Sequence, residues 1–200
     1  YQPHAGIVDL GSLPYPNLDD FPFLGSNIRK YTESNLFFSK QFIPIAASRW
    51  CVNKCSFCFD SINQQDYRIR RVESVIDEII SQSKKYKSES FCLCDSTLNI
   101  NLAWLERFCE LIIKKDIRVR FKFVHLCPKR LSFKLLNKMR RAGFERIDYG
   151  VESFSNKLLK NICKYNDVNE MKKILIDTGR NEIKASSGLI YNLPGQKKED

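Results

Sequence analysis

The chain has 200 residues, of which 43% are hydrophobic and 28% charged, with 33 Lys and Arg against 23 Asp and Glu for a formal net charge of +10. That length and apolar fraction fit one domain with a sizeable core, or the larger part of one. With no run of about 20 apolar residues, no membrane-spanning helix is expected in these residues. Eight cysteines without a secretion leader point to a reducing compartment, the cytoplasm, where clustered cysteines mean metal or catalysis rather than disulfides. The basic residues are spread along the chain with no aromatic-interleaved block. The charge therefore reads as a compositional bias, although an anionic partner such as RNA is compatible with it. The start at Tyr1 and the charged end "GQKKED" read as the ends of a piece of a longer protein.

Residues 1–43 look irregular, because Pro14, Pro16 and Pro22 interrupt any periodicity in "LPYPNLDDFPF". They are expected to form a linker or wrapping segment ahead of a core spanning 44–200. His4, in "QPHAG", reads as a surface histidine. "IPIAAS" is a first strand that ends just before three clustered cysteines. Val72, Val75, Ile76, Ile79 and Ile80 recur at helical spacing. "SFCLCD", residues 90–95, is a compact apolar run and a second strand. Leu105, Phe108, Cys109 and Ile112 mark a second helix with Asn101 as its cap. "IRVRFKF", residues 117–123, alternates as a third strand, and Ser132 then opens a helix that Gly143 closes. "RIDYG" is a fourth strand. Helical pattern runs over about 155–178, with a break near Asn166 and a stop at Gly179, and "IKASSGLIY" is a fifth strand.

Strands alternating with helices imply βαβ units and a parallel sheet, whose working site lies at the carboxyl ends of its strands. The chemically interesting residues fall there: Cys51, Cys55 and Cys58 after the first strand, Asp95 after the second and Glu152 after the fourth. On the third strand Val119, Phe121 and Phe123 share one face, and Arg118, Arg120 and Lys122 the other. The basic set points either into a barrel lumen or to solvent near an edge. Cys92, Cys94, Cys109, Cys127 and Cys163 sit in apolar patterns and read as small core residues.

Three cysteines in "SRWCVNKCSFCF" are an odd number for disulfides and one short of a closed zinc site. His125, Cys127 or the pair Cys92 and Cys94 could complete a zinc shell, but none stands in a second ligand-spaced motif. A cubane iron–sulfur cluster normally takes four cysteines. Three would leave one iron open to the amino and carboxylate groups of a small molecule.

The stretch Cys51-Val-Asn-Lys-Cys55-Ser-Phe57-Cys58 closely resembles the cysteine motif of the radical S-adenosylmethionine enzymes. The resemblance implies an α/β fold, a partial (βα)6 TIM-like barrel of which this chain supplies about five parallel strands. It also implies a [4Fe–4S] cluster on Cys51, Cys55 and Cys58, with S-adenosyl-L-methionine on the open iron. Reductive cleavage there yields a 5′-deoxyadenosyl radical that abstracts hydrogen from substrate. By the same resemblance Phe57 approaches the adenine, and Asp95 stands where the family contacts the methionine amino group. Glu152, in "YGVESFS", matches the ribose motif. Lys164 falls where a basic residue meets the methionine carboxylate, and Ile190, in "GLIYNLPG", is the apolar adenine contact.

"IVDLGSLPYPNLDDFPF", "CDSTLNINLAWLERFCELI" and "MRRAGFERIDYGVESFS" resemble members that follow a cobalamin-binding domain. Cobalamin-dependent methylation is the implied reaction, with tRNA methylthiolation or peptide modification as alternatives. The substrate is a small molecule, a peptide or RNA, and electrons come from a donor such as flavodoxin or ferredoxin. The reading from another class is a non-catalytic zinc or iron–sulfur binding module.

Overall fold

The computed structural model describes residues 9–20, 42–63 and 66–197. His4, residues 21–41 of the expected wrapping segment and the last residues of "GQKKED" lie outside them. In chain order the elements are β1 (Ile43–Ile45), β2 (Ser48–Arg49), α1 (Phe59–Asn63), β3 (Arg68–Ile69), α2 (Val72–Tyr86), β4 (Ser90–Leu93), α3 (Leu102–Lys114), β5 (Arg120–Leu126), α4 (Phe133–Arg141), β6 (Arg146–Glu152), α5 (Asn156–Asn161), α6 (Val168–Arg180) and β7 (Lys184–Leu189). Five of the strands form one sheet in the order β1-β4-β5-β6-β7, every neighbouring pair parallel. The expected α/β architecture is therefore present. β2 and β3 form a small antiparallel pair that flanks the cysteine loop. The first expected strand divides into β1 and β2, because the chain leaves the sheet after Ile45 to begin that pair.

The helices pack on one face of the sheet, α2 beside α3, α3 beside α4 and α4 beside α6. Val75, Ile76 and Ile79 of α2 and Leu105, Phe108 and Cys109 of α3 are fully buried, as their helical spacing requires. Phe108, Phe121 and Phe144 form an aromatic triad at the amino end of the sheet, with Phe121 and Phe144 centroids 4.7 Å apart. Asn101 caps α3 by accepting from Trp104 N at 3.0 Å, and Ser132 caps α4 by accepting from Leu135 N at 3.2 Å. The helical pattern near 155–178 is broken as expected into α5 and α6. Gly179 does not end α6, which runs to Arg180. There Asn181 takes the cap and donates its side-chain amide to the Asp177 carbonyl at 2.8 Å. The buried Tyr149–Thr178 hydroxyl contact of 2.8 Å fastens this last turn to β6, offsetting the roughly 1 kcal/mol that a helical glycine costs.

The third expected strand lies three residues further along, over Arg120–Leu126. Its register runs Phe91↔Phe121 and then Cys92↔Phe123, so β5 accommodates one extra residue at Lys122. The bulge reverses the alternation: Val124 and Leu126 join Phe121 in the core, while Phe123 is only half-buried. Arg118 and Arg120 are exposed near the amino end of this strand, and Lys122 pairs with Glu145. The basic face is thus a solvated strand face remote from the carboxyl ends. Cys109, Cys92 and Cys127 are core residues as expected, Cys163 is half-buried, and Cys94 is exposed because it lies past the end of β4.

Residues 9–20 lie along α2: Leu18 N donates to Tyr86 Oη at 3.0 Å, and Gln82 donates to the Pro16 carbonyl at 2.9 Å. No helix among the described residues is long and apolar enough to cross a membrane.

Candidate metal centre

Cys51, Cys55 and Cys58 sit on the loop from β2 to α1. Trp50 turns the chain into this loop with φ +66°, a conformation uncommon for a bulky residue. Ser61 Oγ donates toward the carbonyls of Cys55 (2.6 Å) and Cys58 (2.7 Å), and Cys58 N donates to Cys55 O at 3.0 Å. The loop is thereby stiffened from within. Cys51 Sγ accepts from the backbone N of Asn53 at 3.4 Å and from its Nδ2 at 3.3 Å, with Thr97 Oγ1 at 3.8 Å. Cys55 is buried, which pushes its thiol pKa up; the Lys164 charge opposes this, and the neighbouring Cys58, Cys51 and Cys127 reinforce it.

Lys164 reaches the loop because Ser56 N donates to the Ile162 carbonyl at 3.0 Å, tying the loop to the chain just after α5. Its Nζ lies 3.1 Å from Glu152 Oε1, with the two side chains 12% and 15% exposed. Glu152 ends β6 with φ +65°, a strained conformation of the kind that clusters at functional sites. Gly150, two residues earlier, makes room for the pair: a Cβ there would lie 2.9 Å from Lys164 Nζ, 3.2 Å from Glu152 Oε1 and 3.4 Å from His125 Nε2. His125 Nδ1 faces Asp148 Oδ2 at 3.5 Å, and Asp148 Oδ1 accepts from Ser186 Oγ at 2.7 Å. Burial lowers the His125 pKa, while the Asp148 charge raises it. Ile190 N donates to the Glu152 carbonyl at 2.9 Å, bringing the end of β7 against the same corner.

Asp95 is also buried, and burial raises its pKa against the hydrogen bonds it accepts. Those come from the backbone N–H and hydroxyl of Ser48 and from Ala47 N at 3.4 Å. The carboxylate thus fastens the end of β4 to β2, immediately before the cysteine loop. Phe57 projects from the loop between Cys55 and Cys58 and is 46% exposed.

The sequence pattern of the radical SAM superfamily matches residues 45–200. This chain belongs to the radical SAM superfamily. It is 28% identical over 153 residues to the anaerobic magnesium-protoporphyrin IX monomethyl ester cyclase of Rubrivivax gelatinosus, covering 76% of this chain and 28% of the cyclase. Its fold resembles that of the radical S-adenosylmethionine methyltransferase TsrM from Kitasatospora setae, solved with cobalamin and a [4Fe–4S] cluster bound. There the TM-score is 0.72 and the identity 18%, over 80% of this chain and 32% of TsrM. It also resembles the cobalamin-dependent S-adenosylmethionine radical enzyme OxsB, solved with aqua-cobalamin and S-adenosylmethionine bound, at TM-score 0.73 and 21% identity over 93% of this chain and 27% of OxsB. The chain thus spans less than a third of each of these proteins.

The donor set of this radical SAM core suits a cluster. Three soft thiols lie on a stiff loop, with N–H donors on one sulfur and a cation near another. Among the described residues no three His, Cys, Asp or Glu side chains are gathered closely enough to hold one metal ion. A cubane takes these thiolates one each on three separate irons, so its ligands need not converge on one point. The amide of Asn166 adds a buried Nδ2 without a partner, while its Oδ1 meets Cys127 Sγ at 3.4 Å.

Of the sequence-derived candidates, the structure brings together Cys55, Glu152, Lys164 and Ile190, and it engages Asp95 with Ser48 instead. Sequence reading treated Glu152 and Lys164 as independent residues; their contact is new. Gly150 and Asp148 carry no motif in the sequence, and Asn166 reads there only as a helix break. The one signal for Gly150 was a glycine inside the strand-forming run "RIDYGVES", which marks a close approach of other groups to the backbone.

Proposed function

We propose that this chain is the catalytic core of a cobalamin-dependent radical SAM enzyme. What supports it is that the three-cysteine loop and the Glu152–Lys164 pair occupy one end of one parallel sheet, joined through the Ser56–Ile162 hydrogen bond. Cys51, Cys55 and Cys58 hold a [4Fe–4S] cluster and leave one iron for S-adenosylmethionine. Bound together, these two would supply one-electron reductive cleavage of the sulfonium. Glu152 accepts from the ribose hydroxyls, and Lys164 offers its charge to the methionine carboxylate. The Phe57 backbone and the Ile190 side chain flank the adenine. Asp95 acts one step back: it fixes Ser48 and so the base of the cysteine loop. The electron donor is a low-potential protein of the flavodoxin or ferredoxin kind, and the +10 charge favours an acidic one. Methylation of an unreactive carbon is the reaction favoured by the likeness to the methyltransferase TsrM.

Anaerobic reconstitution followed by dithionite and S-adenosylmethionine tests this reading. It predicts release of 5′-deoxyadenosine and methionine; bound zinc with intact S-adenosylmethionine contradicts it. For the cobalamin assignment, a changed absorbance of hydroxocobalamin added to the full-length protein supports the subtype, and a spectrum identical to the free cofactor contradicts it.

Lys164→Met leaves the Glu152 carboxylate in a sparsely solvated corner without its partner. The expected cost is about 2 kcal/mol in urea unfolding, somewhat below the range for fully buried pairs, with S-adenosylmethionine binding weakened about tenfold in equilibrium dialysis. Gly150→Ala is expected to displace the Lys164 ammonium from its position over the strand. It should cost about 1–2 kcal/mol as an overpacking change and weaken the same binding, whereas Gly179→Ala, with open space around its Cα, leaves binding unchanged.

A further inference from the structure

We infer that Cys92 and Cys94 form a second thiol site, distinct from the cluster cysteines, that reacts with small disulfides of the glutathione type and closes to a Cys92–Cys94 bridge. This goes beyond the cluster reading and does not depend on it. The two sulfurs lie 3.5 Å apart at the carboxyl end of β4. Cys94 is exposed and Cys92 is 5% exposed, the arrangement of an attacking thiol backed by a resolving one. Their surroundings separate them from the metal centre. Cys55 feels Cys51, Cys58 and Cys127, whereas Cys92 and Cys94 feel each other and Asp95, with Arg49 beside Cys94.

Access and polarity favour the same sulfur. Cys94 opens on a cavity of about 400 Å³ whose lining includes Leu13, Tyr15, Ala46, Arg49 and the Arg70–Glu78 ion pair, which leaves the Arg49 charge in excess. A small anionic disulfide reaches the thiol there next to a guanidinium. The contact with Cys92 lowers the Cys94 pKa and Arg49 adds to this, against burial and the Asp95 carboxylate; the same contact and burial raise that of Cys92.

The chemistry balances without a metal. The Cys94 thiolate attacks one sulfur of oxidised glutathione and expels the other half as a thiolate. Cys92 then gives up its proton and displaces the bound half from the mixed disulfide. The two cysteines lose two electrons between them, the small disulfide is reduced to two thiols, and those thiols take up the two protons. Residues two apart in extended backbone, as Cys94 N bonded to the Ile45 carbonyl keeps this segment, are separated by roughly 6.7 Å, at the upper limit of Cα separations that a disulfide spans. The bridge is therefore strained and readily reduced, which makes it a reversible sensor rather than a staple. Asp95 follows directly and holds Ser48, so closure acts on the segment leading into the cysteine loop.

The test uses the whole 200-residue chain, reconstituted anaerobically, equilibrated in buffers of stepped reduced-to-oxidised glutathione ratio and trapped with an alkylating reagent. Trypsin releases residues 88–107 as one peptide that carries both cysteines. The expected result is a shift of this peptide from the doubly alkylated to the internally bridged form as the buffer becomes oxidising. Cys92→Ser should instead accumulate glutathione on Cys94, and Cys94→Ser should leave Cys92 unmodified. Double alkylation of the parent at every ratio overturns the proposal. So does a persistent glutathione adduct on Cys94 in the parent, or glutathione on Cys92 in Cys94→Ser as readily as on Cys94 in Cys92→Ser.

Discussion

Cys55→Ser is expected to strip the chain of iron while leaving it folded. Cys55 is the buried member of the trio, 6% exposed. Its backbone is held by Ser61 and Cys58 through its carbonyl, not by its thiol. Serine keeps that carbonyl and nearly the same volume, so the loop retains its hydrogen bonds. What is lost is the soft, ionisable sulfur that an iron of the cluster requires. Iron and sulfide should fall from about four each per chain to background, at least tenfold, with the 5′-deoxyadenosine yield following. Far-ultraviolet circular dichroism and the urea midpoint should change little. Cys109→Ala provides the contrast: it empties a fully buried site behind α3, so it should lower stability by about 1 kcal/mol and leave iron bound. Iron retained in Cys55→Ser would remove Cys55 from the ligand set.

Gly143→Ala is expected to be the most destabilising single methyl addition in the core. Gly143 follows α4 with φ +96°, where side chains are strained. A Cβ there would sit 2.1 Å from the Val119 carbonyl oxygen. That oxygen is backbone, so no side-chain rotation relieves the clash. The Gly143 carbonyl also accepts from Phe121 N at 2.8 Å, so the movement needed to accommodate a methyl breaks the start of β5 beside the aromatic triad. Strain of about 1–3 kcal/mol and overpacking of about 1–3 kcal/mol act together. A loss of about 4 kcal/mol in urea denaturation is expected, and a loss below about 1 kcal/mol would show that the turn relaxes freely.

The alternation of strands and helices was legible in the sequence because each element carries one clean period, as in Val72, Val75, Ile76 and Ile79 of α2. Caps were legible at Asn101 and Ser132, where a short polar side chain precedes an apolar run. The boundaries of β5 were not. The bulge at Lys122 reverses the alternation, and a period-two reading cannot see an inserted residue. Gly179 misled because its surroundings, Thr178 against Tyr149 and Asn181 on Asp177, extend the helix through tertiary contacts that local sequence does not contain. At the site, the three cysteines were visible from spacing alone. The contact of Lys164 with Glu152 was not, since it joins residues twelve apart on different elements across a glycine whose role appears only in three dimensions. Asp95 looked free for a ligand in sequence; Ser48, 47 positions away, engages it.

The central claim, a cluster held by three cysteines with one iron open to S-adenosylmethionine, is tested most directly by Mössbauer spectroscopy of anaerobically reconstituted, iron-57-labelled chain with and without S-adenosylmethionine. One iron site of the [4Fe–4S] spectrum should shift on addition of S-adenosylmethionine while the others stay put. A spectrum that S-adenosylmethionine leaves untouched, in which every iron is already bound by a side chain, would contradict the account.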